Sequence, residues 1–187
     1  MTAATTANAA PGWSVPTGMR ISFTTHSVLN DGRPMTVRPI EPWEAHLVDE
    51  VFERMSPQSR YARFLAPVPG LTSSMRRSLA DVDHVRHSAY VAEVDGTVAG
   101  TGRFVRFADD PDRAELAFEI ADDYQGLGVG TLLLRVLLAA ARRAAVASLE
   151  CTMAPNNRRA LALSKKIPSA DWRLEDGLII GTARLAA

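Results

Sequence analysis

The chain predicts an α/β domain with a mixed, mostly antiparallel central sheet flanked by helices. Three observations carry that expectation. Strand-like runs follow one another across tight-turn pairs, Asn30-Asp31-Gly32, Asp95-Gly96 and Asp176-Gly177, which pair neighbours antiparallel. A strand-like run from Glu115 to Ile120 feeds a glycine-rich junction and then a Leu- and Ala-rich run, Leu132 to Val146. Ser148 to Met153 follows that helical run, so it returns by a crossover and lies parallel to its predecessor. Hairpins together with one crossover make the sheet mixed.

With 187 residues, the chain suits one domain with a sizeable core. Residues 1–20 are small, polar and dotted with proline, which predicts a disordered or loosely docked extension, and a lone aromatic, Trp13, does not decide whether it is anchored. Residues 21–187 are expected to be the domain. Lys+Arg and Asp+Glu both number 21, so no global basic field exists to collect nucleic acid or an anionic membrane. Cys151 is the single cysteine, which allows no internal disulfide and favours a reducing compartment. No run is long enough to span a membrane, and Met1 to Ala10 has no basic patch before an apolar core. A cytoplasmic location is the expectation.

The elements follow in order. Ile21 to Leu29 and Met35 to Ile40 read as strands around the Asn30-Asp31-Gly32 turn. Pro42 to Met55 places Trp43, Leu47, Val51 and Met55 on one side of a helix. Ser56-Pro57 ends that helix or starts a new turn, and Gln58 to Leu65 carries Arg60, Tyr61, Arg63 and Phe64. Leu71 to Asp81 predicts a second helix, capped near Thr72 or Ser73. Ala89 to Val94, Thr97 to Phe107 and Ala114 to Ile120 form a meander. The central helix begins near Gly128. A short helix spans Arg158 to Lys166, and Ile167 to Asp176 pairs with Leu178 to Leu185.

The junction Gln125-Gly126-Leu127-Gly128-Val129-Gly130-Thr131 organises the rest. Glycines there let the backbone approach a ligand, and the helix start offers free N–H groups and the positive dipole end. Such a site suits phosphate. A nucleoside-triphosphate loop needs Lys before Thr131, and none is present. A dinucleotide fingerprint would put its third glycine at Leu133 or Thr131, so it fails although Glu150 stands where a ribose-binding acid should be. Gln-x-x-Gly-x-Gly is met by Gln125, Gly128 and Gly130. The bland alternative is a glycine-rich helix start with no ligand.

That pattern resembles the acyl-CoA pyrophosphate loop of the GNAT N-acetyltransferase superfamily. The resemblance covers roughly residues 35 to 185. A second family motif, Asn-x-x-Ala-x-x-Leu-Tyr-x-Lys, is matched by Asn157, Ala160, Leu163 and Lys166, but Ser164 stands at the Tyr position and Pro168-Ser169 replaces the usual Gly-Phe. The segment Ser56 to Phe64, with Asp83-His84 and Ala117-Phe118, is similar to the catalytic domain of bacterial Pat-type protein-lysine acetyltransferases. Those proteins often carry a regulatory module, for which this length leaves no room.

The resemblance implies a GNAT-like fold and acyl transfer from acetyl-CoA, a cosubstrate, to a primary amine, with no metal. A protein lysine is the favoured acceptor. A small-molecule amine, or a non-catalytic acyl-CoA-binding module, are the alternatives, and a homodimer is compatible with all three. The implied cosubstrate contacts are Phe118, Glu119 and Ile120 on the strand, then Gln125, Gly126, Leu127, Gly128, Val129, Gly130 and Thr131 of the loop, with Asn157 and Ser164 beyond. An amine attacks only when neutral, so a general base is needed, and backbone N–H groups of the splayed strand can hold the oxyanion. Glu115, Glu119 and Glu150 compete for the role of base. Glu115 is favoured because relatives often place a Glu there, and Glu119 shares its strand face by parity. Ser164 is too weak an acid to replace the family Tyr, leaving water or the substrate ammonium to protonate the thiolate.

Other features read as structural. His84 and His87 beside Asp81 and Asp83 have a spacing that could suit a metal, but a polar helix end is the simpler reading. Cys151 is expected to be a small buried hydrophobe rather than a nucleophile. Arg158, Arg159, Lys165 and Lys166 are a solvated helix face, from which some could meet cosubstrate phosphates at the rim.

Overall fold

The computed structural model describes residues 24–185. The expected extension over residues 1–20, and the first three residues of the expected first strand, lie outside them. Among the described residues a single sheet runs in the order β1-β2-β3-β4-β5-β6-β8-β7. The strands are β1 (Thr25–Val28), β2 (Pro34–Pro39), β3 (His87–Val94), β4 (Thr97–Arg106), β5 (Arg113–Ile120), β6 (Ser148–Met153), β7 (Ala170–Glu175) and β8 (Leu178–Arg184). Every neighbouring pair is antiparallel except β5 with β6. The hairpin turns follow the expected chemistry. Asp95 and Gly96 have φ of 50° and 74°, the double positive φ that matches the twist of flanking strands.

Helix α4 (Val129–Arg143) covers one face of the sheet. It buries Leu133, Leu134 and Leu137 against Tyr90, Phe104 and Leu116. Each such leucine, fully removed from water, contributes about 2 kcal/mol before packing terms. The Leu- and Ala-rich run was expected to stay helical to Val146. The helix instead stops at Arg143, because Ala145 turns left-handed (φ 56°) and the Val146 N–H closes back on Ala141 O at 2.9 Å. Helix α5 (Arg158–Ser164) lies on the same face, where Leu163 packs against this core.

The opposite face carries α1 (His46–Glu53), α2 (Pro57–Phe64) and α3 (Ser73–Ala80). Leu47, Val51 and Met55 bury against Ala89 and Val91 of β3. The expected helix over Pro42 to Met55 is shorter, and Trp43 is 73% exposed rather than on its buried face. The cause is local. Glu44 Oε2 accepts from Glu41 N–H at 3.0 Å and from Arg38 Nη1 at 2.8 Å, which holds residues 41–44 in a turn. The Ser56-Pro57 pair starts a helix. Ser56 Oγ accepts from Ser59 N–H at 3.2 Å, and Pro57, which lacks an N–H, sits at the first helical position. Thr72 caps α3 in the same way.

The feature that positions the site is the parting of β5 and β6. Their ladder runs only from Arg113–Ser148 to Glu115–Glu150. Beyond it β5 continues along β4 to Ile120, while β6 continues along β8 to Met153. A wedge opens between them, and the glycine loop closes its wide end.

Candidate functional site

After β5 the chain makes one 3-10 turn, Asp122–Tyr124, and enters the loop. Gln125 fastens the entry. Its Nε2 donates to Ile120 O at 3.0 Å and lies 3.0 Å from Asp122 Oδ1 and 3.2 Å from Ser59 Oγ. Gly126 and Gly128 have φ of 82° and 106°, conformations that side chains resist. The N–H groups of Gly126, Leu127, Gly128, Val129 and Gly130 donate to nothing among the described residues. Those of Thr131 and Leu132 turn back to Gly128 O, at 3.0 and 3.1 Å. The unpaired group of donors therefore ends at Gly130. Lys166 places its Nζ 3.0 Å from Thr131 Oγ1, adding a cation beside the positive end of α4. The arrangement can hold a polyanion by backbone donors, helix dipole and one ammonium.

The wedge adds donors of its own. Ala121 N–H bonds Ala99 O at 3.0 Å, so odd-numbered residues of β5 turn their backbone toward β4. Phe118 and Ile120 turn theirs toward the wedge, where β6 has already departed. Ile120 O is taken by Gln125, and the two N–H groups face the opening. An extended chain laid along β5 from the loop reaches Glu115 after five residues, about 17 Å at the usual rise of a strand.

The three carboxylates have different surroundings. Glu115 and Glu119 share the face that carries α1 to α3, as their parity requires. Glu119 is buried there. Its Oε1 accepts from Arg63 Nε at 2.8 Å, and its Oε2 from Thr101 Oγ1 at 2.8 Å and Arg103 Nη2 at 3.2 Å. Burial raises its pKa, but Arg103, Arg63 and Thr101 outweigh that and hold it at about 2. It is a fixed anion with both oxygens occupied. Glu150 accepts from Arg113 Nε at 3.0 Å. Glu115 is exposed, sits opposite Glu150 in the last rung before the strands part, and makes no side-chain hydrogen bond or ion pair among the described residues.

The remaining expected residues divide. Asn157 Oδ1 accepts from Ala160 N–H at 3.0 Å, so its side chain caps α5. Ser164 is buried and donates its hydroxyl to Leu161 O at 2.9 Å. Cys151 packs against the main core, and burial pushes its thiol up to about 11. His87 is not at a helix end. It opens β3, buried, with Nδ1 3.0 Å from Asp81 O, and burial followed by the charge of Arg103 lowers its pKa to about 4. Among the described residues no three His, Cys, Asp or Glu side chains gather as a metal would need.

Sequence reasoning missed the partners of Glu119. Arg63 lies in the Ser56 to Phe64 segment with nothing local to mark its role, and Thr101 and Arg103 carry no local signal beyond lying on an apolar strand. It also missed Asn30, which contacts the loop from 96 residues away.

The sequence model of the Acetyltransferase (GNAT) family matches residues 45–167. An acetyltransferase of Pseudomonas aeruginosa is 34% identical over 119 residues, 62% of this chain and 63% of that protein. Acetyltransferase Pat of Mycolicibacterium smegmatis is 28% identical over 142 residues, 75% of this chain and 42% of that protein. The matched stretch thus spans less than two thirds of either curated relative. The crystal structure of the GNAT domain of S. lividans PAT superposes with a TM-score of 0.79 at 28% identity, covering 87% of this chain and 97% of that one. A Salmonella typhimurium protein solved with its cofactor acetyl-CoA shares the fold, with a TM-score of 0.67 at 17% identity over 81% of this chain and 94% of that one. Among the described residues no helix is long and apolar enough to cross a membrane. The chain belongs to the GNAT acetyltransferase family.

Proposed function

We propose that the chain transfers an acetyl group from acetyl-CoA to a primary amine, and that the amine is the side chain of a protein lysine. The observation that carries this is the set of unpaired N–H groups from Gly126 to Gly130 at the wide end of the wedge. A pyrophosphate seated there directs a pantetheine arm along β5. Phe118 and Ile120 offer it backbone donors, and the thioester comes to rest near the point where β5 and β6 part.

Glu115 stands at that point and is the proposed base. It takes a proton from the ammonium, directly or through water. The neutral nitrogen then attacks the thioester carbon. The C–N bond forms, the C–S bond breaks, and the thiolate takes, directly or through water, the second proton that the attacking nitrogen sheds on becoming an amide. A lysine amine with a pKa of about 10 is almost wholly protonated at neutral pH, so this deprotonation is the step that needs help. A backbone N–H on the wedge side of β5 is the proposed donor to the oxyanion. Glu119 is a poor candidate because both its oxygens are bound, and Glu150 is held by Arg113. Ser164 has its hydroxyl engaged and is not assigned the acid.

An acceptor on a protein is favoured over a small amine because Glu115 is exposed on an open face, which a bulky chain can reach. Free-thiol release from acetyl-CoA, measured with lysine peptides and a panel of small amines, tests the reading. Release with peptides and not small amines is expected. Tight acetyl-CoA binding with no release to any amine would leave only a binding module. The cytoplasm, which supplies both acetyl-CoA and lysine acceptors, is the proposed location.

A further inference from the structure

We infer that Asn30, on the turn between β1 and β2, is a positioning residue for the glycine loop: it ties back two consecutive loop carbonyls and so aims the loop's N–H groups at the anion. The inference rests on the proposed acetyl-CoA reading of that loop. Asn30 N–H donates to Leu127 O at 3.0 Å, and its Nδ2 donates to Gly126 O at 3.3 Å. Its Oδ1 lies 3.5 Å from where a side chain on Gly128 would begin. One residue therefore bonds two successive loop carbonyls and borders a third position.

The consequence follows from the planarity of the peptide bond. In a trans peptide the C=O of one residue and the N–H of the next point in opposite directions. Holding Gly126 O toward Asn30 turns the Leu127 N–H away from it. Holding Leu127 O toward Asn30 does the same for the Gly128 N–H. Both peptides adjoin glycines with positive φ, which have little steric preference of their own and could otherwise flip. Asn30 supplies the preference that the loop lacks.

The turn is firm enough to act as a fixed wall. Leu29 is buried in the main core. Its N–H donates to Arg33 O at 2.8 Å, and Gly32 N–H donates to Leu29 O at 3.0 Å. The guanidinium of Arg33 lies 5.1 Å from the ring of Tyr124, whose ring Arg54 also approaches at 5.1 Å. The turn thus holds the residue before the loop as well as the loop itself. The resemblance read from the sequence begins at about residue 35, so this turn lies just before the stretch it covers.

The test compares the full chain with Asn30→Ala and Asn30→Asp. Calorimetric titration with acetyl-CoA should show about tenfold weaker binding in Asn30→Ala, the size of one lost hydrogen bond. Asn30→Asp keeps the shape, removes the donor and adds a negative charge beside the loop, so it should lose at least as much. Thermal midpoints without ligand should stay within about two degrees of the parent, since neither change touches the core. S-acetylpantetheine, which lacks the pyrophosphate, should be bound equally by all three proteins. Parent-like acetyl-CoA affinity in either variant overturns the inference, and so does an equal loss with S-acetylpantetheine. A parent chain that binds S-acetylpantetheine but gains nothing from the pyrophosphate would instead overturn the reading of the loop itself.

Discussion

Arg103 Nη2 lies 3.2 Å from Glu119 Oε2, and both side chains are only 3% exposed. An ion pair this far from water is strong only while both members are present, because desolvation opposes each charge alone. Arg63 and Thr101 complete the carboxylate's coordination. Glu119→Gln removes the anion and leaves a buried guanidinium facing a neutral amide. The cost should be about 3–5 kcal/mol of folding stability at neutral pH. Urea unfolding measures it, and a loss below about 1 kcal/mol would mean that Arg103 is solvated in some other way.

Glu115→Gln should behave in the opposite manner. The residue is exposed, so stability should change by no more than about 0.5 kcal/mol. Turnover at neutral pH should fall by roughly a hundredfold or more, with acetyl-CoA affinity nearly unchanged. Raising the pH should recover part of the loss, because the amine then deprotonates unaided. Glu150→Gln is the control. If it gives this signature and Glu115→Gln does not, the base lies on β6.

Gly130→Val should separate binding from folding. The added side chain would begin 3.4 Å from Leu163 Cδ2, a contact that a flexible side-chain end can relieve. Gly128→Val is less clean, since φ there is 106° and any side chain is strained. In a folded Gly130→Val protein, acetyl-CoA affinity should drop at least about tenfold, as the branched side chain crowds the N–H groups. Unchanged calorimetric affinity would place the pyrophosphate elsewhere.

His87 predicts an acid-sensitive fold. Its pKa falls from 6.5 in the unfolded chain to about 4 in the folded one, chiefly through burial. The unfolded state therefore binds the proton more readily. Stability is unaffected above about pH 6.5 and declines as the pH falls from there to about 4, by an amount on the order of 3 kcal/mol. Glu119, held at about 2 against an ordinary 4.5, adds a second decline at lower pH, between those two values. His87→Asn retains an amide that can serve Asp81 O but cannot titrate. Its stability should be flatter between pH 7.5 and about 4.5 than that of the parent, as read by urea unfolding. Parallel curves would assign the acid sensitivity to other groups.

The order of strands and helices was legible because it rests on short-range regularities. Strand-like apolar runs, tight-turn pairs and the cap at Thr72 are all written within a few residues of where they act. The helix start expected at Pro42 was lost to a side chain: Glu44 binds Arg38 and Glu41 and holds a turn where the apolar spacing alone suggested helix. Likewise the central helix ended at Arg143 because the chain turned left-handed at Ala145, although its composition still favoured helix.

The sequence by itself determined the strand–loop–helix unit that ends in Gly128 and Gly130, and the parity that puts Glu115 and Glu119 on one face of β5. It could not determine their different fates. Those were decided by α2 and β4, which bring Arg63, Arg103 and Thr101 onto Glu119 and leave Glu115 in the open. The same holds for Asn30, whose partner carbonyls lie 96 and 97 residues away along the chain. Local propensity acts over a turn or two of backbone, whereas the state of a charge or a carbonyl depends on whichever distant groups the fold sets against it.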